Sequence, residues 1–138
     1  MNTNEGKISF TLYGDEVKDF SPSELTKFLG IDPTATSIKG ERLGKYPKSS
    51  RWEFSTGKKS GELIDVYDMG NEIVAILEPK KELIIEAIEK FHLSPCLNIV
   101  LWISTNEDIS TPAIGFESSV IKFLSEIDAS IDIDTYRN

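Results

Sequence analysis

An α+β fold, a two-layer sandwich in which a mixed or antiparallel sheet of about five strands carries helices on one face, follows from three features of this sequence. Five short stretches alternate or run apolar as strands do, and segments of helical period lie between them. Their order, strand, helix, strand, strand, helix pair, strand, helix, strand, contains a βαββαβ unit. The expected topology is a ferredoxin-like βαββαβ core plus an extra helix and strand. The two ends also echo each other. Ile8–Tyr13, a helix with Lys27-Phe28-Leu29 and Ala35–Ile38 correspond to Leu97–Trp102, a helix with Lys122-Phe123-Leu124 and Ala129–Ile133. A duplicated unit and two similar helix-bearing units of one sheet both fit this pattern.

Taken in order, Ile8–Tyr13 alternates as a half-buried strand does. Ser21-Pro22-Ser23-Glu24 places a hydroxyl at the N-cap, proline at N1 and glutamate at N3, the signature of a capping box. Phe20 and Leu25 can close a hydrophobic staple, and Gly30 supplies the left-handed residue that ends the helix. Ala35–Lys39 reads as a strand, residues 40–50 as a loop rich in Gly, Pro and Lys, and Arg51–Ser55 as a strand with Trp52 and Phe54 on one face. Over 62–77 the apolar residues fit a helical period, with a turn at Met69-Gly70-Asn71 between two strands as the alternative. A second helix runs beyond Pro79 to His92, its face set by Leu83, Ile84, Ala87, Ile88 and Phe91. The nearly continuous apolar run Leu97–Ile103 suits a central strand covered on both faces. Ser118 or Ser119 caps the final helix through Ile127, and Ala129–Tyr136 alternates as the last strand.

The length of 138 residues fits one globular domain over 1–138, with 1–6 a disordered tail. One cysteine excludes an internal disulfide, the residues after Met1 lack the apolar stretch of an export signal, and no apolar run approaches the roughly 20 residues of a membrane span. A cytoplasmic location without membrane contact is expected. The net charge is −8, unevenly placed: between Lys39 and Lys59 the local balance is +5, which leaves −13 for the rest. Such a body repels nucleic acid and would speed encounter with a basic protein. The basic stretch interleaves Tyr46 and Trp52 with charge, but a solvated loop accounts for it.

Chemistry-bearing patterns are scarce. His92 is the only histidine and falls at a helix end, where a dipole partner or a satisfied surface residue is expected over a base. Cys96, the only thiol, precedes an apolar strand and is expected to be buried and unreactive. No metal-ligand spacing and no glycine-rich phosphate loop is present, so neither cofactor nor metal is expected and no catalytic residue is assigned. Asp132 and Asp134, two apart on a strand, share a face. They could hold a divalent cation or act as acid and base in a hydrolase, or they form the solvated side of an amphipathic strand. Trp52 and Trp102 are expected in the core or as interface anchors.

Several stretches together carry a resemblance. Phe10-Thr-Leu12-Tyr13-Gly14-Asp15, the Ser-Pro-Ser-Glu-Leu helix ending in Leu29-Gly30-Ile31-Asp32-Pro33, Lys39-Gly40, Ser50-Arg51-Trp52 and Ile131-Asp132-Ile133-Asp134-Thr135-Tyr136 resemble the bacterial domain-of-unknown-function family 4279 from about Ile8 to Tyr136. The resemblance implies a small bacterial α+β protein of the cytosol, with immunity against toxins of bacterial competition as one role, and it supplies no catalytic residues. The resulting expectation is a non-enzymatic binding protein, an immunity protein that neutralises a basic toxin domain through an acidic surface. Partner-binding candidates are Asp15, Glu16 and Asp19 after the first strand, Glu107 and Asp108 in a later loop, and Asp132 and Asp134 on the last strand. A small-ligand-binding or regulatory domain is the alternative, ahead of a hydrolase using the two aspartates. Whether the chain is a monomer or a homodimer is left open.

Overall fold

The computed structural model describes residues 3–42 and 46–138; Lys45 of the basic stretch lies outside the described residues. The elements are β1 (Glu5–Tyr13), α1 (Pro22–Leu29), β2 (Ala35–Ser37), β3 (Arg51–Ser60), α2 (Val66–Leu77), α3 (Lys81–Phe91), β4 (Ser94–Ile103), α4 (Ser118–Glu126) and β5 (Ser130–Arg137), with a 3-10 turn at Glu78–Lys80 joining α2 to α3. The sheet order is β2-β3-β1-β4-β5. From β2 to β4 every neighbour is antiparallel. β1 and β2 therefore run the same way with β3 between them, the split βαβ arrangement of a ferredoxin-like core. β5 is added parallel to β4, with α4 as the crossover. The two echoing ends are thus both βαβ units of one sheet, the first divided by β3 and the second direct.

Strand alternation puts Ile8, Phe10 and Leu12 of β1, Trp52 of β3 and Leu97, Ile99 and Leu101 of β4 on the helical side, all fully buried. Leu25, Leu29, Ile73, Leu77, Ile84 and Phe123 close over them from the helices. Close approach of α2 to β1 depends on Gly6, where an added Cβ would lie 3.0 Å from Leu101 Cδ2 and 3.1 Å from Met69 Cε. A continuous apolar face of this kind is the main favourable term in a domain of this size.

Local signals explain most helix ends. Ser21 Oγ accepts from the Glu24 N–H at 3.3 Å, Pro22 sits in the first turn, and Gly30 ends α1 at φ 69°. The second half of the capping box, the Glu24 carboxylate accepting from the Ser21 N–H, is not formed among the described residues, and Ser21 Oγ also lies 3.0 Å from Ser23 Oγ. Asp65 caps α2 by accepting from the Asp68 N–H at 2.8 Å, so the helix begins at Val66, later than 62, and the two-strand alternative with a turn at Met69-Gly70-Asn71 falls away. His92 ends α3 in the left-handed region at φ 58°. α4 differs from expectation, because Glu117 occupies its N-cap without a side-chain bond and Ser118 is already helical.

Two further expectations are corrected. Residues 4–6 do not belong to a disordered tail: Glu5 and Gly6 open β1, and Asn4 is buried, donating to Ser110 O at 2.8 Å and accepting from the Ser104 N–H at 2.8 Å. β4 is covered on one face only. Its other side carries Cys96, Asn98, Val100 and Trp102 on the helix-free face, with Asn98, Val100 and Trp102 half-buried. Among the described residues no helix is long and apolar enough to cross a membrane.

Candidate functional site

The helix-free face is polar, and its interior is already internally bonded. Asn98 Nδ2 donates to Thr11 Oγ1 at 2.9 Å and lies 3.3 Å from Tyr13 Oη, while Cys96 Sγ sits 3.5 Å from Asn98 Oδ1. Lys7 pairs with Glu53 at 3.6 Å and Lys58 with Glu5 at 2.9 Å. Lys58 reaches this face through a bulge. Lys7 pairs with Lys58 but Ser9 with Ser55, so Thr56 and Gly57 together oppose Ile8. Gly57, at φ 95°, takes the conformation that the bulge requires. The Lys58 ammonium then lies 4.3 Å from the Trp102 ring centre, and Trp102 stacks on Tyr136 of β5 at 6.4 Å and 24°. Cation, indole and phenol thus form a ladder leading to the edge of the sheet.

That edge is β5. All eight of its residues are exposed, and among the described residues it pairs only with β4. Opposite Asn98 and Val100, Asp132 and Asp134 project from the helix-free face beside Tyr136; on the other face Ile131 is 41% and Ile133 38% exposed. The Asn138 N–H donates to the Ile103 carbonyl at 2.8 Å. Strand alternation therefore turns the N–H and C=O groups of Ile131, Ile133, Thr135 and Arg137 away from β4, toward solvent.

The expected site residues do not converge. Asp15, Glu16 and Asp19 follow the C-terminal end of β1, whereas Glu107 and Asp108 follow β4 at the opposite end of the sheet. β1 has nine residues, which separates the two loops by about 26 Å at ~3.3 Å per residue. Asp132 and Asp134 lie between those ends, on the edge strand. All seven carboxylates are exposed, and among the described residues none forms an ion pair. Asp15 is occupied locally: it accepts from the Lys18 N–H at 2.8 Å and the Val17 N–H at 2.9 Å, bonds that hold its carboxyl below the usual aspartate range. The Glu16 carbonyl accepts from the Lys39 ammonium, which brings a positive charge against that loop. Asn106 Oδ1 accepts from the Asp108 N–H at 3.0 Å.

The sequence pattern alone reads Lys58 as part of the basic stretch and Tyr136 as the end of a strand, passes over Asn98, and sets Trp102 between core and interface. A signal existed for one of them: Asn98 interrupts an otherwise apolar run, as a strand with one polar face would. Trp52, by contrast, is wholly buried and donates from Nε1 to Thr26 Oγ1 at 3.0 Å. Among the described residues no group of three or more His, Cys, Asp or Glu could hold a metal ion. A solvent-open groove of about 590 Å³ lies between α2 and α4, lined by Val74, Ala75, Glu78, Lys81, Phe123 and Glu126. The Lys81 ammonium donates to Glu126 at 3.2 Å, which raises its pKa, and lies 3.6 Å from Glu78. Lys81, Glu78 and Glu126 therefore answer one another, while Glu117 and Lys122 also line the groove.

No curated protein and no solved structure matches the chain. The sequence does match a family over residues 4–138, nearly its whole length, and that family is described as a domain of unknown function. The match takes in every strand and helix of the sheet described above, and the chain belongs to the DUF4279 family.

Proposed function

We propose that this protein is a non-enzymatic binding module, a bacterial cytoplasmic immunity protein that neutralises a basic toxin domain by presenting carboxylates to it. The observation that carries this reading is the position of Asp132 and Asp134: exposed, side by side on one face of a strand, and, among the described residues, without an ion pair and with the strand's outer edge free. Carboxylates with no internal partner contribute little to the fold, yet they attract a cationic surface and raise its rate of encounter. The body outside the basic stretch, at −13, extends that attraction over the rest of the molecule.

The test is to read the frames adjacent to this protein's gene and co-express the chain with a toxin domain found there; adjacent frames that encode no toxin domain would count against the reading. Growth should be restored by the wild-type chain and lost again on neutralising the acidic residues together. The purified chain should show no turnover of nuclease, phosphatase, esterase or peptidase substrates. Metal-dependent turnover abolished by Asp132→Asn or Asp134→Asn would contradict the reading in favour of a hydrolase. The groove between α2 and α4 supports the alternative of a small-ligand domain, and a metabolite retained there through purification would favour it.

A further inference from the structure

Resting on the reading of this chain as a binder of basic proteins, we infer that its partner docks by adding a strand to the free edge of β5, and that this strand alternates basic and apolar residues. Two independent features point there. The backbone offers the outward N–H and C=O groups of Ile131, Ile133, Thr135 and Arg137 along an eight-residue edge, and main-chain bonds to such an edge are the affinity term in strand addition. The side chains then state the specificity. Whichever direction the added strand runs, its residues opposite Asp132 and Asp134 lie two apart, and the residue between them faces the side of Ile133. Lys or Arg at the first two positions meets the unpaired carboxylates, and an apolar residue between them covers Ile131 and Ile133, which are 41% and 38% exposed. Tyr136, already stacked on Trp102, would extend the row toward a further cation.

A second copy of the chain fits this edge poorly. If two β5 strands pair antiparallel with both helical layers on the same side, one of the two most fully overlapped registers sets Asp132 opposite Asp134 twice. Registers shifted by one residue on each strand set Asp134 opposite Asp134 or Asp132 opposite Asp132. Like charges directly opposite destabilise a pair of strands. Inverting one copy places the aspartates beside isoleucines instead. The acidic row therefore selects a basic strand over another β5.

The probe is an alternating valine–lysine octapeptide, titrated into the full chain at low ionic strength and followed by calorimetry and amide chemical shifts, with a valine–glutamate octapeptide as control. Shifts should concentrate on residues 130–137, and the glutamate peptide should not bind. In Asp132→Lys/Asp134→Lys the preference should reverse, with the lysine peptide weakened by about tenfold or more, as expected for two cross-strand charge pairs turned from attraction to repulsion. Ile133→Pro, which removes an outward donor at an edge position where proline is tolerated, should abolish binding while leaving the fold's amide spectrum intact elsewhere. Should that variant unfold, the charge reversal still decides the matter. Binding of the lysine peptide at the 15–19 or 107–108 loops would overturn the edge while sparing the acidic-surface reading. Absence of binding would overturn the edge as well, and rescue by co-expression would then show the broader reading intact. Concentration-dependent shifts of β5 without any peptide would assign the edge to a second copy and overturn the inference.

Discussion

The two edges of this sheet are finished in opposite ways. β2 ends one side with three residues, and its flank is net basic: Arg42 and Arg51, against the single Glu53, lie beside Ala35, Thr36 and Ser37, and Arg51 Nε donates to Ser37 Oγ at 3.1 Å. Thr34 ties the approach to β2 down, its N–H donating to Glu53 O at 2.7 Å and its Oγ1 accepting from the Ser55 N–H at 2.7 Å. The loop beyond folds back through Gly40 N–H to Pro47 O at 2.8 Å and Lys39 N–H to Ser50 Oγ at 2.9 Å. β5 ends the other side with eight exposed residues and an acidic row. Short length is a common way to blunt an edge, and charge is another. Because β2 uses the first, the opposite charges of the two edges do not turn copies of the chain into a head-to-tail ribbon: three residues offer too little backbone to pair. β5 keeps its length and uses charge alone, which repels another β5 but leaves a basic strand welcome.

The largest expected effects separate the two tryptophans, one beside each edge. Trp52→Ala, next to β2, removes a wholly buried side chain and its bond to Thr26, and should cost about 3 to 5 kcal/mol. Trp102→Ala, next to β5, removes a half-buried ring with one stacking partner and one cation, and should cost about 1 to 2 kcal/mol. Denaturant melts of both variants check this. Equal losses would make the open edge as structural as the closed one and break the comparison.

Ser21→Ala should cost about 1 kcal/mol, the usual loss for an N-cap acceptor. With only one bond of the capping box formed, a loss near the upper limit of about 2 kcal/mol is not expected. Smaller still is the stability change in Asp132→Thr/Asp134→Thr, within about 0.5 kcal/mol, because both side chains are exposed. Its effect falls on solution behaviour: relieved of like-charge repulsion, β5 should self-associate, and sedimentation velocity should show species larger than in the wild type.

Asp15 sharpens the contrast from the acidic side, since its carboxylate has an internal use. Held below the usual value of 3.8 by the Lys18 and Val17 amides, its ionised form favours the folded loop. That contribution is fully present above the ordinary aspartate value and is lost as pH falls through the depressed one. Carboxyl NMR titration should place Asp15 below 3.8. Amides 17 and 18 should move at that same pH.

The parts of the fold that were legible in the sequence are those decided within a few residues. Ser21, Pro22 and Gly30 bound α1 by chemistry that acts over one turn, and Leu25 and Leu29 mark its buried face. Strand alternation likewise showed Asp132 and Asp134 sharing a face. The exposure of Trp102 was not legible, because it depends on the lack of a second helical layer over β4 and not on any neighbour in sequence. The place of Lys58, named only as part of the basic stretch, was hidden for a different reason: a bulge at Thr56 and Gly57 shifts the face on which every later residue of β3 lands. The bareness of β5 on both faces is a packing outcome too, since α4 turns Val120, Phe123 and Leu124 into the core yet leaves Ile131 and Ile133 uncovered. Seven candidate carboxylates could be named from sequence, but their dispersal to both ends and one edge of the sheet needed the strand register.

Amide hydrogen exchange with and without the alternating valine–lysine peptide reads both edges of the sheet at once. Ile131, Ile133, Thr135 and Arg137, whose N–H groups face outward, should become protected, while the β2 edge and the 15–19 loop exchange as before. Unchanged exchange along β5, or protection confined to β2 or to the acidic loops, would contradict docking at the β5 edge.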